Sequence, residues 1–311
     1  MRRLVSTSLL LWLTLVAQAC QRDEATAPKP TAQVLNASQF GIVFTSERIQ
    51  NCQIYAMNAD GSDQHQLTQS LPYCDAYPSP SPDGHRIAFS GYRAGFNTDV
   101  YVMTDDVMID NSYPPTRLTT DPGSDIDPDW SPDGKRIVFA SARSTPDQIY
   151  VMNADGSEQT RLTNDPCSSD THPRWSPDGS RIAFTGDCGR RDGTRQIYVI
   201  NADGSGRTRL TDELIDNRDA SWSPDGRRII YASGRGISVM NADGSGQTPL
   251  GVGGEDPSWS PDERLILFKR FVDSQFADEI FVMNADGSGE TRLTTAPSYD
   301  FHPHWLRGGA W

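Results

Sequence analysis

Past residue 40 the apolar residues of this chain come in short bursts, and no stretch keeps the three-and-four spacing of an amphipathic helix over three turns. Two kinds of burst alternate. The first is GIVF (Gly41–Phe44), RIAF (Arg86–Phe89), RIVF (Arg136–Phe139), RIAF (Arg181–Phe184), RIIY (Arg228–Tyr231) and LILF (Leu265–Phe268). The second runs into a polar turn: IYAMNADGS from Ile54, VYVMTDD from Val100, IYVMNADGS from Ile149, IYVINADGS from Ile197, ISVMNADGS from Ile237 and IFVMNADGS from Ile280. Each series has six members, and the repeat heads lie about 37 to 50 residues apart, the period of a four-stranded propeller blade. The second copy departs from the pattern, its turn replaced by DDVMIDNSYPPT (Asp105–Thr116).

One repeat holds four short candidate strands: a head P-x-W, the RIAF run, the IYVM run and TRLT. β-Branched and aromatic residues suit strands of this length. Between the head and RIAF stands SPDG, where Pro presets the second position of a type I turn and Gly takes the left-handed residue after it. NADG closes the next hairpin through Asn and Asp turn chemistry. Runs that are apolar on both faces, such as RIVFA, require a neighbouring sheet on each side, so the meanders must stack around an axis. The chain begins with a second strand (GIVF) and ends with a first-strand head, HPHW at Trp305. Pairing of these two segments would complete one blade and remove a free sheet edge. The expected fold is all-β: a six-bladed propeller of four-stranded antiparallel blades over residues 40–311.

The phrase WSPDG-x-RI-x-F … IYVMNADG … RLT resembles the TolB-type propeller repeat, a relative of the WD repeat, over about residues 40–306. The resemblance implies the propeller fold and says little about function. TolB-type proteins can carry an α/β domain ahead of the propeller. About twenty residues separate the N-terminal signal region from the first strand, so the expectation is a propeller-only member.

The N-terminus reads MRRLVSTSLLLWLTLVAQAC: Arg2 and Arg3, an apolar run Leu9–Val16, and Ala17-Gln18-Ala19 before Cys20. This is the form of a secretory signal over residues 1–19, too short to span a bilayer. Cys20 as first mature residue resembles a bacterial lipobox, with Ala at −3 and Gln at −2 as departures from it. Acylation of Cys20 would anchor the chain, and the polar residues 20–39 would serve as a flexible tether. The absence of Asp after Cys20 suggests, by analogy with lipoprotein sorting, the outer membrane. The expected location is the periplasm or cell surface.

Setting Cys20 aside leaves Cys52, Cys74, Cys167 and Cys188. In an oxidising compartment an even set reads as disulfides, with three connectivities open. Cys52–Cys74 and Cys167–Cys188 are favoured, each pair being about half a blade apart. The net charge of −13, or −15 once Arg2 and Arg3 are removed, argues against nucleic acid and against direct binding to an anionic membrane surface. The membrane would be met through the lipid anchor only, and the chain is expected to be a monomer.

Counting back from the head Trp picks out candidate chemistry. Three residues before it come Tyr77, Asp127, His172, Asp219, Asp256 and His302, a set that begins the innermost strands and would ring one mouth of the channel. His172, His302, Asp127, Asp219 and Asp256 could hold a divalent cation, since imidazole and carboxylate are suitable ligands. No other cofactor is expected. Five residues before the Trp stand Asp75, Asp125, Asp170 and Asp300, and the loop after each second strand supplies Arg48, Arg93, Arg143, Arg190 or Arg191, Arg235 and Arg270. These arginines could line an entrance for carboxylate, phosphate or an acidic peptide, or pair with the aspartates to tie blades together. Trp130, Trp175, Trp222, Trp259 and Trp305 recur once per blade and read as packing. The irregular loops of blades 2, 4 and 6 (the last KRFVDSQFADE) are where specificity would reside.

Two functional readings follow. One is a cell-envelope scaffold that holds a protein or peptide on one face. The other is a metal-dependent or sugar-acting lyase or hydrolase that uses the His/Asp ring. The chain has no GxSxG, no Gly-rich phosphate loop and no CxxC, and residues encoded once per repeat suit a scaffold better than catalysis, so the scaffold reading is preferred.

Overall fold

The structure, a computed structural model, describes residues 41–49, 51–69, 73–93, 97–104, 114–166, 168–187, 194–211, 214–273, 276–296 and 298–306. The expected signal, Cys20 and the tether lie outside these residues. All regular elements among them are strands, grouped in six four-stranded sheets. From the axis outwards, blade 1 is Asp300–Leu306, Gly41–Ser46, Gln53–Asn58 and His65–Gln66. Blade 2 is Cys74–Pro80, Arg86–Tyr92, Asp99–Thr104 and Thr116–Arg117. Blade 3 is Asp125–Trp130, Arg136–Ser141, Gln148–Asn153 and Thr160–Arg161. Blade 4 is Asp170–Trp175, Arg181–Gly186, Gln196–Asn201 and Thr208–Arg209. Blade 5 is Asn217–Trp222, Arg228–Ser233, Gly236–Asn241 and Thr248–Pro249. Blade 6 is Glu255–Trp259, Leu265–Val272, Ala277–Asn284 and Thr291–Arg292.

Every pairing is antiparallel, and Asp300–Leu306 zips onto Gly41–Ser46 from Ser46↔Asp300 to Gly41↔Leu306, closing the ring as the ends of the chain predict. The continuous apolar runs follow from the radial stacking. In blade 1, Ile42 and Phe44 pack with Leu265 and Leu267 of blade 6, whereas Val43 between them packs with Ile87 and Phe89 of blade 2. Alternate residues of one strand thus feed two cores, and each fully buried Phe or Ile stabilises by about 1.5–3 kcal/mol. Blade-to-blade register is fixed by a second device. Arg86, Arg136, Arg181 and Arg228 lay their guanidinium groups on Trp130, Trp175, Trp222 and Trp259 of the following blade, 4.3–4.7 Å from the ring centroid. Where blade 6 has Leu265 in place of Arg, it packs in one apolar cluster with Trp305. The Trp side chains are packing residues, 5–7% exposed.

The lower face carries the SPDG and NADGS turns. Their aspartates are used locally, Asp60, Asp155, Asp203, Asp243 and Asp286 each accepting from the Ser two residues on. The upper face carries the loops between second and third strands and the connections from blade to blade. Cys52 and Cys74 lie on this face and form a disulfide that joins blade 1 to blade 2. Cys167 and Cys188 lie outside the described residues.

Candidate functional site

Each innermost strand breaks register at the same place, between Ala76 and Ser79, Ile126 and Asp129, Thr171 and Arg174, Arg218 and Ser221, and Glu255 and Ser258, with the matching break in blade 1. The residue at the break is left-handed in every blade: Tyr77 φ 55°, Asp127 60°, His172 53°, Asp219 57°, Asp256 51° and His302 52°. Non-glycine residues avoid this region at a cost of about 1–2 kcal/mol each. A bulge of this kind re-aims the side chain that sits on it, and here it turns six side chains towards one another.

The six meet at the axis. The rings of Tyr77 and His302, from blades 2 and 1, stack with centroids 3.8 Å apart, and Tyr77 also meets His172 of blade 4 edge-on at 6.2 Å. His172 Nε2 stands 3.7 Å from Asp127 Oδ2 and 3.7 Å from Asp219 Oδ1. His302 Nε2 is 3.9 Å from Asp256 Oδ2. Blades 2 and 4 are not neighbours, so their contact means the side chains fill the mouth instead of lining an open hole. The ring predicted from the Trp spacing is therefore brought together. Among the described residues no three His, Cys, Asp or Glu side chains are gathered so as to hold a metal ion. A guanidinium occupies part of the space instead: Arg174 Nη1 donates to Asp127 Oδ1 at 3.1 Å.

Arg174 belongs to a second, deeper tier that the repeat pattern does not single out, the residues immediately before the Trp, or before Pro80 in blade 2: Ser79, Asp129, Arg174, Ser221, Ser258 and His304. Asp129 accepts from Ser79 Oγ at 3.2 Å and from the Trp175 backbone N–H at 2.8 Å, tying blades 2, 3 and 4 together. The indole N–H of Trp222 donates to Arg174 O, and that of Trp305 to Ser258 O. Below this tier the Trp and Ser-Pro residues surround a depression of about 190 Å3 on the lower face.

Burial sets the charge states of the channel. It pushes Asp219 up, helped by neighbouring Asp256, and it pushes Asp129 and Asp256 above the ordinary carboxylate value. Burial opposes ionisation of Asp127 too, but Arg174, His172 and His302 outweigh it and hold that carboxyl below its usual value. Burial drives His302 and His304 each down to about 3 and raises the Tyr77 phenol. The His302 imidazole is thus uncharged at neutral pH.

Further out on the upper face, the arginines pair with the aspartates within a blade and not from blade to blade. Arg48 binds Asp300, Arg93 binds Asp75 and Arg143 binds Asp125, each within one blade and each to a carboxylate that is fully buried. The same guanidinium groups lie over the blade's aromatic pair, such as Phe89 and Tyr101, 5.1–5.5 Å from the centroids. They seal the blade top and are not arrayed to receive an anion. Arg190 and Arg191 lie outside the described residues, and in blade 4 the role falls to Arg207, which reaches Asp170 from the outer hairpin. Blade 6 has Gly254 where four of the other blades have the Asp, and its Arg270 binds Glu290. In blade 5 Asn217 stands in place of the Asp and Ser238 in place of the second aromatic, and Arg235 sits exposed on a two-residue turn.

The described residues include six exposed large apolar side chains, Tyr73, Tyr92, Leu214, Phe271, Phe276 and Tyr299. All six stand in upper-face connections or at strand ends that lead into them. Between blades 5 and 6 the same face opens into a cleft of about 500 Å3 lined by Arg218, Ser233, Gly253, Glu255, Lys269 and Phe271 among others. The opposite face has self-satisfied polar turns and no such side chain among the described residues.

The profile of the family described as TolB beta propeller domain matches residues 68–166 and 146–305. Among curated proteins, a TolB homolog of Chlorobaculum tepidum is 34% identical over 129 residues, 40% of this chain and 28% of that protein. An uncharacterized protein of Agrobacterium fabrum is 32% identical over 111 residues, 36% of this chain and 35% of that protein. The chain thus matches about a third or less of the length of these relatives. Among solved structures, TolB from Acinetobacter baumannii superposes with a TM-score of 0.72 at 21% identity, over 87% of this chain and 67% of that one.

Proposed function

The chain belongs to the TolB beta propeller domain family, and from that premise we propose that it is a binding module of the cell envelope whose upper face holds a segment of a protein partner around the filled channel mouth. The observation that carries this reading is the one-sided distribution of exposed apolar residues: six on the upper face, against a lower face of polar turns. Exposed apolar groups gathered on one side of a rigid scaffold mark an interaction surface. The sealed blade tops and the side-chain plug supply a firm floor for such a contact. The envelope location rests on the sequence of residues 1–20, with Cys20 as the proposed point of acylation, and mass spectrometry of the mature N-terminus tests it.

The test of the face is site-specific photo-crosslinking in cells of the source organism. A benzophenone side chain at position 276 or 299 is expected to capture a partner protein. The same group at position 135 or 180, in lower-face turns, is expected to capture none. Equal capture from both faces overturns the reading. The enzymatic alternative has no grouped metal ligands to support it among the described residues.

A further inference from the structure

In five blades the second strand is paired by the innermost strand to its last residue: Ser46 with Asp300, Tyr92 with Cys74, Ser141 with Asp125, Gly186 with Asp170, and Ser233 with Asn217. Blade 6 differs. Its second strand runs on to Val272, held on the outer side through Val272↔Ala277, but the innermost strand starts only at Glu255, opposite Lys269. Arg270, Phe271 and Val272 therefore present an inner edge that no strand covers among the described residues.

The direction of the exposed groups follows from the ladder. Leu265 turns its backbone inwards, its carbonyl accepting from Ser260 N–H at 2.8 Å. Alternation along the strand brings Leu267, Lys269 and Phe271 round to the same side. The Phe271 N–H and C=O thus face the cleft between blades 5 and 6, and among the described residues no backbone group meets them there. The chain that would have covered them is diverted by glycines. A Cβ on Gly254 would lie 2.5 Å from the Phe268 ring, whereas one on Gly253 would point into open space. The connection leaves the sheet at this point, beside the shortest upper-face hairpin, the Gly234-Arg235 turn of blade 5.

We infer that this notch is a β-augmentation site: an extended peptide of a protein partner adds to blade 6 in line with Glu255–Trp259, pairing its main chain with Phe271. The inference deepens the upper-face reading and rests on it. The Phe271 side chain, 48% exposed, and Phe276, 77% exposed, call for an apolar residue on the peptide. The charged groups of the lining are already paired, Arg270 with Glu290, Lys269 with Glu255 and Asp278, and Arg218 with Glu255, Asp216 and Asp219, so the open strand edge and its apolar flank, not charge, select the peptide. Lys269 and Arg218 already share Glu255, which fixes both cations at the inner end of the notch.

The experiment uses the full chain and a displayed library of random linear peptides. Selected peptides are expected to carry an apolar residue, to slow hydrogen exchange at the Phe271 amide, and to lose binding when the pairing residue is N-methylated. They are also expected to lose binding to Gly253→Trp, whose side chain would fill the notch; an unchanged melting temperature for that variant shows the ring is intact. A library that yields no binder, or binders that leave the Phe271 amide unprotected or hold Gly253→Trp equally well, overturns the inference. Binders that ignore Gly253→Trp but fail on His302→Ala would retain the upper-face reading and remove only the notch.

Discussion

Arg207 reaches back from the outer hairpin of blade 4 to Asp170 at the start of its innermost strand, Nη1 to Oδ2 2.7 Å, and lies over Phe184 and Tyr198 on the way. Three other blades fill the same space with an arginine from the loop between second and third strands. The position equivalent to Arg207 in blade 6 is Glu290, which binds Arg270. The element preserved is a guanidinium on an aromatic pair with a carboxylate beside it, and either hairpin can supply each half. Asp170 is fully buried and burial raises its pKa against the pull of Ser168 and Arg207. Arg207→Ala should therefore cost about 2–3 kcal/mol, somewhat less than for a fully enclosed pair because the arginine is 23% exposed. Glu290→Ala, with both partners about one-third exposed, should cost no more than about 1 kcal/mol. Urea melts of the two variants check the contrast; equal losses would contradict it.

Acid should weaken the ring before it protonates most carboxylates. His302 and His304 are held near 3 by burial, against about 6.5 in an unfolded chain. Between those values the unfolded chain binds protons that the folded chain does not. Their contribution is complete above about pH 6.5 and shrinks as pH falls, by at most about 1.4 kcal/mol per imidazole per pH unit. Asp219 and Asp256, raised by burial, act in the opposite sense nearer the carboxylate range. The clean window is therefore about pH 6.5 to 5. Calorimetry should show the melting temperature of the native chain dropping across it, with a smaller drop for His302→Phe, which keeps a ring against Tyr77. A native profile flat from pH 7 to 5 would contradict the assignment.

The blades were legible because two strand-like runs are written six times with turn residues between most of them, and the ring closure because the first and last strand-like segments are different strands of one blade. The channel geometry was legible only in part. Counting from the Trp found Tyr77, Asp127, His172, Asp219, Asp256 and His302, but not their left-handed backbone. Five of these precede Pro, which by itself argues for extended backbone; closure of the ring overrides that local preference. Asp129, Arg174 and His304 escaped notice because their position varies from blade to blade and looks like noise in one sequence. The arginines were located correctly, and of the two roles open to them the structure shows the pairing with Asp75, Asp125 and Asp300, within a blade and not from blade to blade. Arg207 was missed because it lies in the other hairpin.

The Cys52–Cys74 bond spans 22 residues and joins blade 1 to blade 2. A cross-link over a loop of that size stabilises by about 3 kcal/mol in the chain-entropy view. Replacing both cysteines by Ser should lower the melting temperature by several degrees while leaving the far-ultraviolet spectrum of the folded chain unchanged. The native protein should show the same drop on reduction. A double variant that melts with the oxidised native chain would mean the bond constrains nothing.

Closure is the step on which the upper face depends, because Asp300–Leu306 brings both His302 and His304 to the channel. Trp305 is 7% exposed and packs with Ile42 of its own blade and Leu265 of blade 6, and its indole N–H donates to Ser258 O at 3.2 Å. Trp305→Ala removes a large ring from the seam between the last and first blades and should cost about 3–5 kcal/mol. Trp222→Ala makes a comparable cavity inside the run of blades, where the chain is continuous through SPDG and the neighbouring sheets. If the seam is the weak point, Trp305→Ala should expose amides of Gly41–Ser46 to hydrogen exchange selectively, whereas Trp222→Ala should leave those amides protected. Equal protection of Gly41–Ser46 in both variants would show that the C-terminal strand is not what holds the ring shut.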